Sequence, residues 1–167
     1  MSVSALQTGM DDGSTQAGLL AAAALCRHRG VALTDIRRQT LELLWRAGRP
    51  LSAYQLLAGL KEARGRPVTP PTIYRALEFL VGQGLAIRIE SRNAYVPCTH
   101  PERLHARVFF VCDCCDASMQ IENPTLLRLI GEDALNLGFQ VARPVLEMQG
   151  TCAHCRGRQE TRVAIRS

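Results

Sequence analysis

The spacing of hydrophobic positions changes near residue 85. Before it, apolar residues recur at helical intervals in four stretches, and after it they alternate. Ala17 to Arg29, rich in Ala and Leu and stopped by Gly30, predicts a first helix. Thr34 is placed to cap a second helix that turns Ile36, Thr40, Leu43, Leu44 and Ala47 inward, keeps Arg37 and Arg38 near its solvated start, and ends at Gly48-Arg49-Pro50. Ser52 is placed to cap a third, with Ala53, Leu56, Leu57 and Leu60 as its stripe, closed by Gly65-Arg66-Pro67. Thr69 followed by Pro70-Pro71 opens a fourth. Its Ile73, Ala76, Leu77, Leu80 and Val81 make a buried face, opposite Thr72, Tyr74, Arg75 and Glu78. After Gly82 and Gly84, Leu85, Ile87 and Ile89 alternate with Ala86, Arg88 and Glu90, and Ser91-Arg92-Asn93 turns the chain into Ala94-Tyr95-Val96.

Helices two to four followed by a two-stranded wing predict a winged helix-turn-helix, with the last helix as the groove reader. Tyr74 and Arg75 have the reach for base edges: arginine can grip guanine O6 and N7, and a tyrosine ring can pack on a thymine methyl or bond a phosphate. The bland alternative is a solvated face carrying an ordinary Arg and Tyr. Farther on, Arg107 to Cys112 and Ala117 to Glu122 read as strands. A helix starting at Asn123-Pro124 buries Leu127, Ile130, Ala134 and Leu137 and stops at Gly138, and Phe139 to Met148 reads as a third strand. A sheet this narrow covers neither its edge nor its apolar face, and pairing with a second copy would solve that. The expected class is α+β: a poorly ordered segment 1–16, a winged helix-turn-helix domain 17–97, a hinge 98–106, and a small α/β dimerisation domain 107–167.

Composition narrows the setting. The chain has 167 residues, 47% of them hydrophobic, enough to bury real cores. No apolar run approaches the ~18 residues of a membrane span, and the Ala/Leu run near residues 18–25 lacks the preceding basic residue of a secretory signal, so a cytoplasmic protein is expected. Residues 1–100 hold 12 Arg and Lys against 7 Asp and Glu, while residues 101–167 hold 8 against 8. The whole positive excess therefore lies in the part read as a DNA binder.

The candidate chemistry is metal binding. Seven cysteines, with two C-x-x-C pairs among them, suit a reducing compartment and metal ligation better than a disulfide framework. Cys112 and Cys115 form one pair and Cys152 and Cys155 the other, each at a strand end. Four thiolates match tetrahedral zinc in a closed, structural site. Redox use of C-x-x-C would need a helix-start pair in a thioredoxin-like context, which is absent, and no catalytic constellation marks an enzyme. Cys114 and His154 read as spectators, with Cys114 in place of Cys115 left open. Cys98, His100, His105 and Glu122 form a second, less regular set whose mixed S, N and O ligands suit an exchangeable zinc. The ordinary alternative is a buried thiol and two solvated histidines. Cys26 and His28, on the first helix, read as a packed thiol and a surface imidazole.

Leu33-Thr34 followed by Arg37, Ser52-Ala53 at a helix start, Pro71-Thr72-Ile73-Tyr74-Arg75-Ala76-Leu77, the Cys98 to His105 linker and the paired C-x-x-C together resemble the ferric uptake regulator family from about residue 20 to 156. Ser52-Ala53-Tyr54, Pro70-Pro71-Thr72, Glu90-Ser91 with Asn93, Tyr95-Val96 and Cys98 resemble its zinc-uptake branch (Zur). The histidine-rich run before the first C-x-x-C that marks the iron branch is replaced by Ala-Arg-Val-Phe-Phe-Val. The resemblance implies a homodimeric, zinc-responsive repressor on a partly palindromic double-stranded operator, with one or two dimers per operator. Two zinc ions per chain are implied, one structural and one regulatory.

On the same resemblance Tyr74 and Arg75 would contact bases, Arg37 a phosphate, and Thr72 and Tyr54 complete the DNA-facing set. Cys98 and His105 carry over as regulatory ligands. Two further family ligand positions fall on Ile87 and Gln120, so His100 and Glu122 stand as inferred substitutes. An acid–base pair joining neighbouring dimers in some relatives falls on Ala58 and Lys61. The implied mechanism is a population shift, in which zinc selects dimers whose recognition helices lie about one turn of DNA apart. The rivals are a sensor of iron, manganese or peroxide, disfavoured by the Cys98 thiolate, then a thiol redox protein, and a zinc-ribbon module without DNA contact.

Overall fold

The computed structural model describes residues 3–5, 12–65, 67–98, 101, 107–115, 117–141 and 144–164, the side chains of 3–5, 107, 122, 127 and 159–164 excepted. The chain divides into two compact units, Thr8–Arg103 and Met1–Gln7 with Leu104–Ser167.

The first unit runs α1 (Asp12–His28), α2 (Asp35–Ala47), β2 (Leu51–Ser52), α3 (Ala53–Arg64), α4 (Pro70–Gly82), β3 (Ala86–Ile89) and β4 (Ala94–Pro97). Helix α1 begins five residues before the expected Ala17. Asp12 sits in its first turn, where a carboxylate favours the helix dipole, and Thr15, Leu19, Ala22 and Cys26 make the buried stripe. Thr15 and Ala22 are too weakly apolar to announce that stripe in the sequence. Leu44, Leu56, Leu60, Ile73, Leu77 and Leu80 are fully buried in the shared core with Leu41 and Trp45.

Capping differs among the helices. Ser52 and Gln55 form a reciprocal capping box, each side chain bonding the other's backbone N–H. Thr34 and Thr69 occupy N-cap positions with extended backbone but make no side-chain cap bond, contrary to expectation. The Thr69 hydroxyl pairs instead with that of Thr72 at 2.8 Å. Strands β3 and β4 form the wing, with Ile87 opposite Val96 and Arg88 opposite Tyr95. The short strand β2 joins them to give the order β2-β4-β3, an addition that a two-residue strand could not signal in the sequence. At the tip Asn93 takes a left-handed backbone (φ 45°), and its side chain accepts from Arg88, which also pairs with Glu90.

The second unit is a four-stranded sheet ordered β1-β6-β5-β7, built from β1 (Val3–Ala5), β5 (Arg107–Cys112), β6 (Ser118–Glu122) and β7 (Val145–Gly150). Strand β1 runs antiparallel to β6 and occupies the edge that the sequence left open, although residues 1–16 were expected to be poorly ordered. Strands β5 and β7 are parallel, joined through β6 and helix α5 (Pro124–Asn136), which Asn123 caps by accepting from the Leu126 N–H. Strand β7 starts at Val145, not Phe139. Gly138 turns the chain with φ 71°, and Pro144, just before Val145, has no N–H to give a ladder. Leu137, expected inside, is 85% exposed at the end of α5. Helix α6 (Ala153–Ala164) starts inside the second cysteine pair, with Cys155 in its first turn, so this pair opens a helix and does not close a strand as expected; the helix's polar sequence gave no apolar period to predict it. Among the described residues no helix is long and apolar enough to cross a membrane.

Candidate metal centre and nucleic-acid interface

Strand pairing assembles the four predicted thiols. Cys112 closes β5 and is bonded through its N–H to the Ala117 carbonyl, while the Asp113 N–H donates to the Gly150 carbonyl at the end of β7 at 2.8 Å. These two bonds bring the knuckle of the first pair against the second. The sulfurs of Cys112, Cys115, Cys152 and Cys155 lie within 4.8 Å of one another, the one group among the described residues able to hold a metal ion. The Cys115 and Cys152 sulfurs are 3.8 Å apart. A tetrahedron with Zn–S bonds of about 2.3 Å has edges of about 3.8 Å, so the donors fit zinc in both kind and spacing. Cys114 is exposed and outside the cluster, and so is His154, in keeping with their reading as spectators.

Backbone donors support the charge. The N–H groups of Cys114 and Cys152 each point at the Cys112 sulfur at 3.4 Å, and that of Cys155 at the Cys152 sulfur at 3.4 Å. The Cys152 amide first, then that of Cys114, lowers the Cys112 thiol to about 6. Cys155 moves the other way, because its hydrogen bond with the Cys115 sulfur and its burial both favour the protonated thiol. Four sulfurs this close cannot all be thiolates unless a cation joins them. Cys26 is a buried thiol on α1 whose burial raises its pKa, an inert packing residue as expected.

The second predicted ligand set is described in part. Cys98 is buried just beyond β4, its N–H bonded to the Leu85 carbonyl. His100 and His105 lie outside the described residues, and Glu122 is placed only by its backbone, opposite Arg107. At the two family positions that depart, Ile87 is buried with no lone pair to offer, and Gln120 is a buried uncharged amide opposite Phe109.

On the first unit, α3 and α4 present the predicted DNA-facing side chains. Tyr54 is 81% exposed and Tyr74 50%. Arg75 is exposed and makes no hydrogen bond or ion pair among the described residues, while Thr72 is half-buried and held by Thr69. Arg37 differs from these. It is half-buried, donates to the Ala32 carbonyl at 2.6 Å, and stacks over Phe79 with 3.6 Å from its guanidinium carbon to the ring centroid. Phe79 was missed by the sequence reading. Its one signal there is the four-residue interval after Arg75.

A winged helix that offers an exposed arginine at the start of its last helix, in a chain with four thiols grouped to fit zinc, defines a helix-turn-helix protein with a metal-binding cluster. No family model matches the chain. It is 36% identical over 147 residues to the zinc uptake regulation protein of Escherichia coli K12, an alignment covering 87% of this chain and 85% of that one. A solved zinc uptake regulator complexed with zinc and DNA shares 35% identity with a TM-score of 0.80, covering 87% of this chain and 97% of that one. The crystal structure of holo XcZur shares 38% identity with a TM-score of 0.75, covering 84% and 98%. The chain belongs to the ferric uptake regulator family, in its zinc uptake regulator branch.

Proposed function

We propose that the protein is a zinc-responsive, DNA-binding transcriptional regulator, mainly a repressor, of zinc-uptake and zinc-homeostasis genes. It acts in the cytoplasm as a homodimer. The observation that carries this reading is the presentation of Arg75 and Tyr74, exposed at the start of α4, in a chain 36% identical to a zinc uptake regulation protein.

Zinc has two places in this reading. Cys112, Cys115, Cys152 and Cys155 would hold a structural ion, whose chemistry is to neutralise four thiolates and tie the ends of β5 and β7 together. Cys98 and His105, with His100 and Glu122, would hold the regulatory ion. Binding there biases the dimer toward the spacing of recognition helices that fits an operator. Tyr74 and Arg75 read bases, and Thr72 and Tyr54 flank them. Dimerisation is supported by the exposed Leu129, Leu135, Leu137 and Phe139 in and after α5, too much apolar surface for an isolated unit to leave in water.

The test uses the duplex that zinc-loaded wild-type protein selects from a random-sequence pool. Arg75→Ala, at a side chain with no hydrogen bond or ion pair among the described residues, should bind that duplex about tenfold to a hundredfold more weakly and relax discrimination at one base position. Unchanged affinity would favour the zinc-ribbon reading without DNA contact.

A further inference from the structure

We propose that Arg37 is a positioning residue for the recognition helix: by clamping Phe79 it sets the register in which Tyr74 and Arg75 meet DNA, and it is not itself a phosphate contact. The proposal rests on the DNA-binding reading above.

Arg37 lies in the first turn of α2, and its two contacts reach in different directions. One N–H edge is committed to the Ala32 carbonyl at 2.6 Å, a short charge-assisted bond to the loop before α2. The guanidinium plane lies on Phe79 of α4, 3.6 Å from the ring centroid. One side chain therefore joins the α1–α2 loop, α2 and α4.

At the far end of α4 Arg29 donates to the carbonyl of the C-cap Gln83 at 2.6 Å, so that end is also tied; apart from that cap and the Arg37 clamp the anchorage is apolar. Ile73, Ala76, Leu77 and Leu80 bury the helix, but dispersion and hydrophobic contacts have little directionality and hold rotation or sliding weakly. A stacked cation with a directed hydrogen bond restricts both. Phe79 sits one turn beyond Arg75 on the same strip of α4, so whatever fixes the Phe79 ring fixes the exposed Arg75 next to it.

The chemistry needs arginine. A lysine keeps the charge but has no plane to lay on a ring and no fork to bond a carbonyl while stacked. Arg37 already holds two partners within the fold, whereas Arg75 has no hydrogen bond, ion pair or ring contact among the described residues.

The experiment compares R37K, R37Q, F79L, F79W and the R37K/F79L double variant, all zinc-loaded. It measures affinity for the duplex selected from a random-sequence pool across a range of salt, and discrimination against a scrambled duplex. Unfolding of the same proteins is followed through Trp45, the chain's one tryptophan, except for F79W. Positioning predicts that R37K and F79L each weaken binding about tenfold. Both should also lose discrimination, their losses should not add in the double variant, and F79W should bind like wild type. The salt dependence should stay unchanged in every variant, R37Q included. Wild-type binding by R37K, with R37Q lowering the salt slope by about one ion, would make Arg37 a phosphate contact and overturn the proposal. If no duplex is selected at all, the DNA-binding reading fails separately. The unfolding cycle then still decides the clamp, with non-additive shifts supporting it and additive shifts overturning it.

Discussion

The two units of the chain bury their apolar residues differently. In the first, Leu44, Leu56, Leu60 and Leu80 have no exposed surface, and four helices and the wing close around them. In the second, Phe109, Val108 and Val111 are buried in the sheet, but Leu135, Leu137, Phe139, Val145 and Met148 face outward. The first unit can therefore hold its shape with its own side chains. The second has a smaller core, and on the proposed function it would be completed from outside, by an ion at one end of its sheet and a second copy against its apolar surface. That asymmetry suits a regulator in which the reading head stays rigid while the assembly responds.

The largest effect that would sharpen this contrast comes from the cluster. Cys115→Ser removes one thiolate, and loss of zinc forfeits a binding free energy on the order of 10 kcal/mol, more than a small unit's whole stability. Amide exchange should show residues 104–167 unfolded and residues 12–98 still protected, with zinc content reduced. Equal protection of both units would break the comparison. In the first unit the corresponding core deletion is smaller: Leu44→Ala should cost about 3 kcal/mol in denaturant unfolding without changing zinc content.

Phe139→Asp tests the apolar surface directly. Sedimentation should show self-association weakened at least about tenfold, while the monomer keeps its Cys₄ zinc.

Acid should act on the cluster too. The Cys112 thiol is held down at about 6, so in zinc-free protein the thiolate is the populated form above that pH and is lost as pH falls through it. Zinc affinity measured against a competing chelator should therefore fall already as pH is lowered through neutrality, because protons compete for the raised Cys115 and Cys155 thiols, and more steeply below about pH 6, where Cys112 is protonated as well. The smallest effect belongs to the capping box: Ser52→Ala should destabilise the first unit by about 1 kcal/mol and leave the second untouched.

Much of this architecture was legible in the sequence, for reasons that differ by region. The stripes of α2, α3 and α4 are strongly apolar at helical spacing and fold against one another, so period alone located them. Cys112, Cys115, Cys152 and Cys155 were legible because metal chemistry restricts both residue type and spacing. What escaped was decided by tertiary context. Strands β1 and β2 are too short to carry a period and exist only through their ladders to β6 and β4. Leu137 continues the apolar period of α5 but falls at its C-cap, where it is left exposed. Thr69 has the composition of a cap, yet its hydroxyl finds Thr72 instead. Phe79 gave almost no signal, since its role depends on an arginine from another helix lying across it.

The claim on which the functional account turns is that DNA binding follows a second, exchangeable zinc and not the Cys₄ zinc. The direct measurement is metal content and affinity for the selected duplex on the same samples, before and after mild chelation. The account predicts two ions per chain falling to one, with affinity for DNA lost and then restored by added zinc. One ion per chain throughout, with DNA affinity unchanged by chelation, would contradict it.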